Sequence, residues 1–235
     1  MPVIGVDTES HGQTPFSIQV SLHPGTAIMV LMSNPEAIEE LRIQLQNRMD
    51  SGHILALHYA PADLPILEGI GLERIRYRDT LQEAYHLGLP QGLKVLGYRL
   101  FGVRMRDWQD LVGKASREAL LDRVSEYLMD AALLPDIEVR TTKKGLKRIE
   151  KPSRICKTLE RIWKHGMKSS TYDMEQRLLE LNLDLPEKGI GWVPLDEAEE
   201  YACCDADITR RLSLELDRVR LELGSFGVRE EDYDH

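Results

Sequence analysis

With 42% hydrophobic and 29% charged side chains over 235 residues, the chain carries enough apolar material to bury a core, which excludes a disordered polymer and allows one large domain or one domain with an insertion. Only a few apolar residues precede the first acids, too few for a secretory leader or a membrane span. The net charge of −9 is unevenly spread: eleven Lys or Arg and two acids between Arg140 and Lys168 give a local +9, which leaves −18 for the rest.

The chain opens on Val3–Val6, a short apolar run that predicts a buried strand ending at Asp7. Phe16–Ser21 and Thr26–Leu31 predict two more strands around a His23-Pro24-Gly25 turn, an antiparallel three-stranded start. Asn34-Pro35 opens a helix over Glu36–Met49, with Ile38, Leu41 and Leu45 on one side. His53–His58 is short and apolar, as expected of a buried parallel strand. Ala62–Glu68 reads as a helix, Arg76–Thr80 as a brief strand, and Leu81–Leu89 and Leu93–Leu100 as helices. Strands first, then helix and strand in alternation, predict an α/β fold with a mixed central sheet, its first three strands antiparallel and the later ones parallel.

Residues 113–193 have a mostly helical pattern and hold the basic segment, whose Thr141–Gly145 portion reads as a loop or hairpin. We expect a helical, partly basic insertion within a single domain spanning 1–235, packed on the sheet. A last helix over Leu195–Leu223 stops at Gly224, and the acidic tail 224–235 is expected to be mobile. Cys156, Cys203 and Cys204 include no C-x-x-C pair, so reduced, buried thiols and a cytoplasmic setting are expected.

Asp7 and Glu9 are two residues apart at a strand end, so they project to one side, where two carboxylates repel unless cations compensate. Alone, D-x-E is a weak signal that a solvated strand end explains better than a metal site does. Asp63 lies just beyond the next long strand, where an acid near a helix start is also explained by the helix dipole. Tyr201 and Asp205 are four apart on the last helix and share the apolar stripe of Ile208, Leu212, Leu216 and Val219. An aspartate inside such a stripe is costly unless paired or metal-bound. Asp207 and Glu199 leave that stripe and are expected to be solvated.

Four acids and a tyrosine thus arrive as D-x-E, then D, then Y-x-x-x-D. In this order the chain resembles the DEDD superfamily of 3′→5′ exonucleases, in the branch with tyrosine in its third motif; the histidine branch would need a histidine at Glu200. Gln19 in the second strand, Asp79-Thr80, Gly92-Leu93-Lys94-Val95-Leu96 and Pro194-Leu195-Asp196-Glu197-Ala198 extend the resemblance. The stretch from Tyr85 to Val112, with the basic insertion, is most similar to the proofreading domain of phage-type family A DNA polymerases. Residues 3–112 and 193–223 carry the resemblance. One departure stands out: the family's usual asparagine four residues before the second-motif aspartate is replaced by Tyr59.

The resemblance implies an RNase H-like exonuclease fold and a metal-dependent removal of nucleotides from the 3′ end of single-stranded or frayed DNA, as in replication proofreading. It implies two Mg²⁺ or Mn²⁺ ions held by Asp7, Glu9, Asp63 and Asp205, with Asp7 shared, Asp63 acting mainly through waters and Glu9 also meeting the terminal 3′ hydroxyl. Oxygen donors suit such hard cations, and no His or Cys cluster suggests zinc. Tyr201 would orient the attacking water rather than act as a base, since its ordinary pKa lies near 10. Candidate strand contacts are Thr8, Phe16, Tyr59, Lys94, Lys143, Lys144, Lys147 and Arg148. Phe16, Tyr59 and Tyr98 fit either stacking rings or plain core, and the basic segment fits either a phosphate track or a solvated helical face. A bacterial or phage-infected cytoplasm and a DNA polymerase domain or subunit as partner are the expected setting. The chain stops about where a polymerase connection would begin, which leaves a split subunit, a free-standing nuclease and an excised domain open. An RNA 3′-end trimming nuclease of the same superfamily and a noncatalytic binding module remain the alternatives; a phosphotransferase would need a Gly-rich phosphate loop, which is missing.

Overall fold

A computed structural model of the chain describes residues 2–132, 136–142, 145–151, 154–166, 171–186 and 189–225. These form two compact units, one of residues 1–107 with 193–235 and one of residues 108–192.

The first unit is built on five strands: β1 Val3–His11, β2 Thr14–His23, β3 Thr26–Leu31, β4 Ile54–Leu57 and β5 Tyr77–Asp79. Their order is β3-β2-β1-β4-β5. β1 pairs antiparallel with β2 and parallel with β4, which pairs parallel with β5. This is the expected mixed α/β sheet. β1 runs further than the apolar pattern indicates, because Asp7 pairs with Gln19 and Glu9 with Ser17 on β2. A ladder partner holds these polar residues in strand geometry although their composition reads as the strand's end.

Alternation along β1 and β2 gives the sheet two unlike faces. Ile4, Val6, Ile18 and Val20 point to one side and meet α1 (Pro35–Asp50) and α2 (Ala60–Gly69) through Leu41, Leu45, Met49, Ala60 and Leu67. The opposite face carries Gly5, Asp7 and Glu9 paired with Ser21, Gln19 and Ser17. Against β1, β2, β3 and β4 lies the last helix of the chain, Leu195–Ser225. Its close seat depends on Gly5, where an added Cβ would stand 2.2 Å from the Ala206 carbonyl oxygen and 2.6 Å from the Arg210 Cβ. Two shorter helices, α3 (Thr80–His86) and α4 (Leu93–Phe101), complete this side, with Ala84 and Leu96 packed on Leu212 and Leu216. Arg78 at β5 ties Glu83 of α3 to Asp217 at 2.7 Å each.

The second unit starts at Trp108, five residues before the expected boundary, with α5 (Trp108–Ala132). β6 (Asp136–Thr142) and β7 (Gly145–Lys151) form an antiparallel hairpin, followed by α6 (Arg154–Gly166) and α7 (Thr171–Glu180). Leu120, Val124, Leu159, Ile162, Met174 and Leu178 make its core. The last helix of the chain is therefore α8. The tail 226–235 lies outside the described residues, so the expectation of a mobile acidic end falls there. Among the described residues, no helix is long and apolar enough to cross a membrane.

Candidate active site

β1 extends past the end of β4, whose last β1 partner is Gly5. Asp7 and Glu9 therefore project from β1 beyond the carboxyl end of β4, on the face that α8 covers. α2 begins at the same end and brings Asp63, 3% exposed, whose Oδ1 accepts the Thr8 hydroxyl at 2.8 Å. α8 supplies Tyr201 and Asp205 one turn apart, both buried. Three separate segments thus deliver four carboxylates to one place.

The electrostatics follow from burial and like charge. Burial, then the negative charges of Glu9, Asp205 and Asp63, hold the Asp7 carboxyl well above the ordinary carboxylate range. Burial pushes Glu9 up to about 8, with Asp205 and Asp63 adding to it and Lys94 opposing. Asp63 is raised to about 7, chiefly by burial, and Asp205 to about 6 by burial against the opposing pull of Lys94 and Tyr201. Asp7 Oδ2 and Asp205 Oδ1 are buried with no hydrogen-bond partner. Buried carboxylate oxygens that repel one another and lack donors are relieved by a proton or by a bound cation.

That chemistry fits a hard divalent cation, since every donor is a carboxylate oxygen. Among the described residues, no group of three or more His, Cys, Asp or Glu is spaced so as to hold a metal ion as it stands. The acids form an electrostatic cluster with open oxygens, to which an entering ion would add the missing partner.

Tyr201 links this cluster to α4. Its hydroxyl hydrogen-bonds Asp205 and accepts from Lys94 Nζ at 3.5 Å, while the Lys94 ammonium lies 5.0 Å from the ring centre. Burial and the surrounding carboxylates raise the Tyr201 pKa above its ordinary value, so the phenol stays protonated. Lys94, a strand contact by resemblance, here stands beside the acids.

The cluster also rests on residues that sequence reasoning did not place. Asp79 is buried and caps α3 through Leu81 N at 3.0 Å, yet it also receives Tyr59 N at 3.1 Å and Ala60 N at 3.0 Å from the start of α2. In the sequence it stood out only within the Asp79-Thr80 resemblance, with no partner assigned to it. Asp207 corrects an expectation. It is 8% exposed, not solvated, because its Oδ1 accepts Gly25 N at 2.8 Å from the β2–β3 turn and the Ser21 hydroxyl at 3.4 Å. Cys203 and Cys204 are unpaired and half-buried, not fully buried.

Of the remaining candidate strand contacts, Thr8 engages Asp63, Phe16 is half-buried near the start of β2, and Tyr59 and Tyr98 are exposed rather than core. The Arg104 guanidinium lies over the Tyr98 ring at 5.8 Å. Lys143 and Lys144 lie outside the described residues. Lys147 and Arg148 fall on β7, opposite Arg140 and Val139, and only their backbone is described. On α6, Lys157, Arg161 and Lys164 are exposed.

The 3′-5′ exonuclease domain family matches residues 1–144, more than half of the chain. The chain belongs to the 3′-5′ exonuclease family. Its five-stranded mixed sheet is consistent with the RNase H-like exonuclease fold. The match includes Asp7, Glu9, Asp63 and Lys94 and ends before Tyr201 and Asp205, which the fold alone brings to the same place. Exonucleases of this family are typically metal-dependent, and the family implies a nucleic-acid substrate. No curated protein matches the chain.

Proposed function

We propose that this exonuclease hydrolyses the terminal phosphodiester at the 3′ end of single-stranded or frayed DNA, as a member of the tyrosine branch of the DEDD superfamily, with proofreading beside a DNA polymerase as its setting. The observation that carries the reading is the convergence of Asp7, Glu9, Asp63 and Asp205, from β1, α2 and α8, into one buried cluster with Tyr201 against it.

Asp7, Glu9, Asp63 and Asp205 would hold two Mg²⁺ or Mn²⁺ ions. When bound, such cations neutralise the clustered charge, lower the pKa of a water and stabilise the oxygen that leaves phosphorus. The protein's own part is placement. The protonated Tyr201 hydroxyl, steadied by Asp205 and Lys94, orients the attacking water. Water oxygen bonds to phosphorus, the P–O3′ bond breaks, the water's proton passes to solvent and the departing 3′ oxygen is protonated. The products are a nucleoside 5′-monophosphate and a strand one residue shorter with a new 3′ hydroxyl.

The test is a 5′-labelled single-stranded DNA oligonucleotide, and a matched RNA, incubated with the protein and Mg²⁺. A ladder shortening one nucleotide at a time from the DNA 3′ end, absent in EDTA and in Asp7→Ala, is the expected result. Faster digestion of the RNA would replace the DNA assignment by RNA 3′-end trimming. Binding without cleavage of either strand would leave a binding module.

A further inference from the structure

Tyr59 occupies a position that disfavours its side chain. It caps α2 at φ 75 and ψ 63, in the left-handed region. Glycine and asparagine adopt that conformation readily, whereas a bulky aromatic residue is an outlier there. Strain of this kind lasts only where neighbours enforce it, and it gathers at functional sites. Both neighbours are held. The Asp79 carboxylate receives Tyr59 N at 3.1 Å and Ala60 N at 3.0 Å. The His58 ring is fixed between Thr80 Oγ1 at 2.9 Å and the Gln91 carbonyl oxygen at 2.8 Å.

With the backbone clamped on both sides, the ring is left standing outward. It is 55% exposed, and among the described residues no hydrogen bond, cation or second ring engages it. Asp63 follows four residues later in the first turn of α2, so the Tyr59 backbone stands at the end of α2 that brings Asp63 to the cluster. The Tyr59 hydroxyl is one donor that a phosphate oxygen could accept from, a contact that Tyr59→Phe would remove. The ring offers a flat apolar face to the one flat apolar part of a nucleic acid.

Resting on the nuclease reading above, we propose that Tyr59 is a stacking platform for a nucleobase near the 3′ end of the bound strand, held in its strained pose by Asp79. Every base has a face to stack, so the platform serves affinity and placement without selecting sequence. The strain is the cost of fixing the ring where the terminal nucleotides must lie.

The platform hypothesis couples stability and binding with opposite signs. Tyr59→Asn suits the left-handed backbone and should raise Tm by about 2–4 °C, yet it should weaken binding of a 5′-fluorescein single-stranded DNA, read by anisotropy in EDTA, by roughly ten- to a hundred-fold. Tyr59→Phe and Tyr59→Trp should keep the affinity. A strand with abasic 3′-terminal positions should bind the wild type as weakly as the intact strand binds Tyr59→Asn. Intact binding in Tyr59→Asn, alongside wild-type digestion of the strand in Mg²⁺, would overturn the platform and leave the nuclease reading standing. A wild type that neither binds nor digests the strand would overturn both.

Discussion

The Lys94 ammonium donates to the Tyr201 hydroxyl at 3.5 Å and stands 5.0 Å from the centre of the same ring. It also opposes the burial that raises Glu9 and Asp205. One cation therefore steadies the phenol proposed to orient the attacking water and favours the ionised state of two acids. Lys94→Met should shift the acidic limb of the pH–rate profile upward by about half to one pH unit and lower kcat about ten-fold. Lys94→Arg should restore most of the limb. A Lys94→Met profile that overlays the wild type, with only KM raised, would reduce Lys94 to a phosphate contact.

Tyr201→Phe separates the hydroxyl from the ring. The ring packs in place, so Tm should change by no more than about 2 °C, while loss of the oriented hydrogen bond should cost roughly ten- to a hundred-fold in kcat. Because burial and the carboxylates keep the phenol protonated, the basic limb of the wild-type profile should not belong to Tyr201 and should survive in the variant. Its disappearance in Tyr201→Phe would show the phenol acting as a base.

Without metal, the acid cluster should destabilise the fold as pH rises. Glu9, Asp63 and Asp205 are raised to about 8, 7 and 6, against values near 4 in the unfolded chain. Between those limits the native state binds more protons than the unfolded state, so stability is fullest below about pH 4 for these groups and drains away up to about pH 8. In EDTA, Tm should fall from pH 5 to pH 8, by a few degrees to about 10 °C. Mg²⁺ should restore more at pH 8 than at pH 5, and Asp205→Asn should flatten the EDTA curve while abolishing cleavage. A Tm that climbs with pH in EDTA would contradict the cluster's electrostatics.

What the sequence made legible follows from how local each signal is. The strand and helix order, the D-x-E pair and the Tyr201–Asp205 face are set by periodicities of two and 3.6 residues, and all are present. Asp207 was misjudged because a stripe argument sees one face of α8, whereas α8 is buried around much of its girth at this point. Its partners Gly25 and Ser21 lie more than 180 residues away. Lys94 resembled a strand contact until α4 brought it beside Tyr201, 107 residues distant. Asp79 was visible only through the Asp79-Thr80 resemblance, because its double duty at the starts of α2 and α3 depends on β4 and β5 lying side by side.

Gly5 links fold to chemistry most directly. α8 passes so close to β1 here that a Cβ would overlap the Ala206 carbonyl oxygen at 2.2 Å and the Arg210 Cβ at 2.6 Å. Both contacts are rigid, one being backbone and the other the root of a side chain, so α8 itself would have to move. Asp205 precedes Ala206, and Asp7 leaves β1 two residues after Gly5. Gly5→Ala should therefore cost about 1–3 kcal/mol, seen as a Tm lowered by roughly 3–10 °C. The protein still folded at 15 °C should have lost at least about ten-fold in rate, because the carboxylates of β1 and α8 no longer meet in register. Wild-type kcat in a destabilised Gly5→Ala would show that the seat of α8 serves stability alone and that the cluster tolerates its displacement.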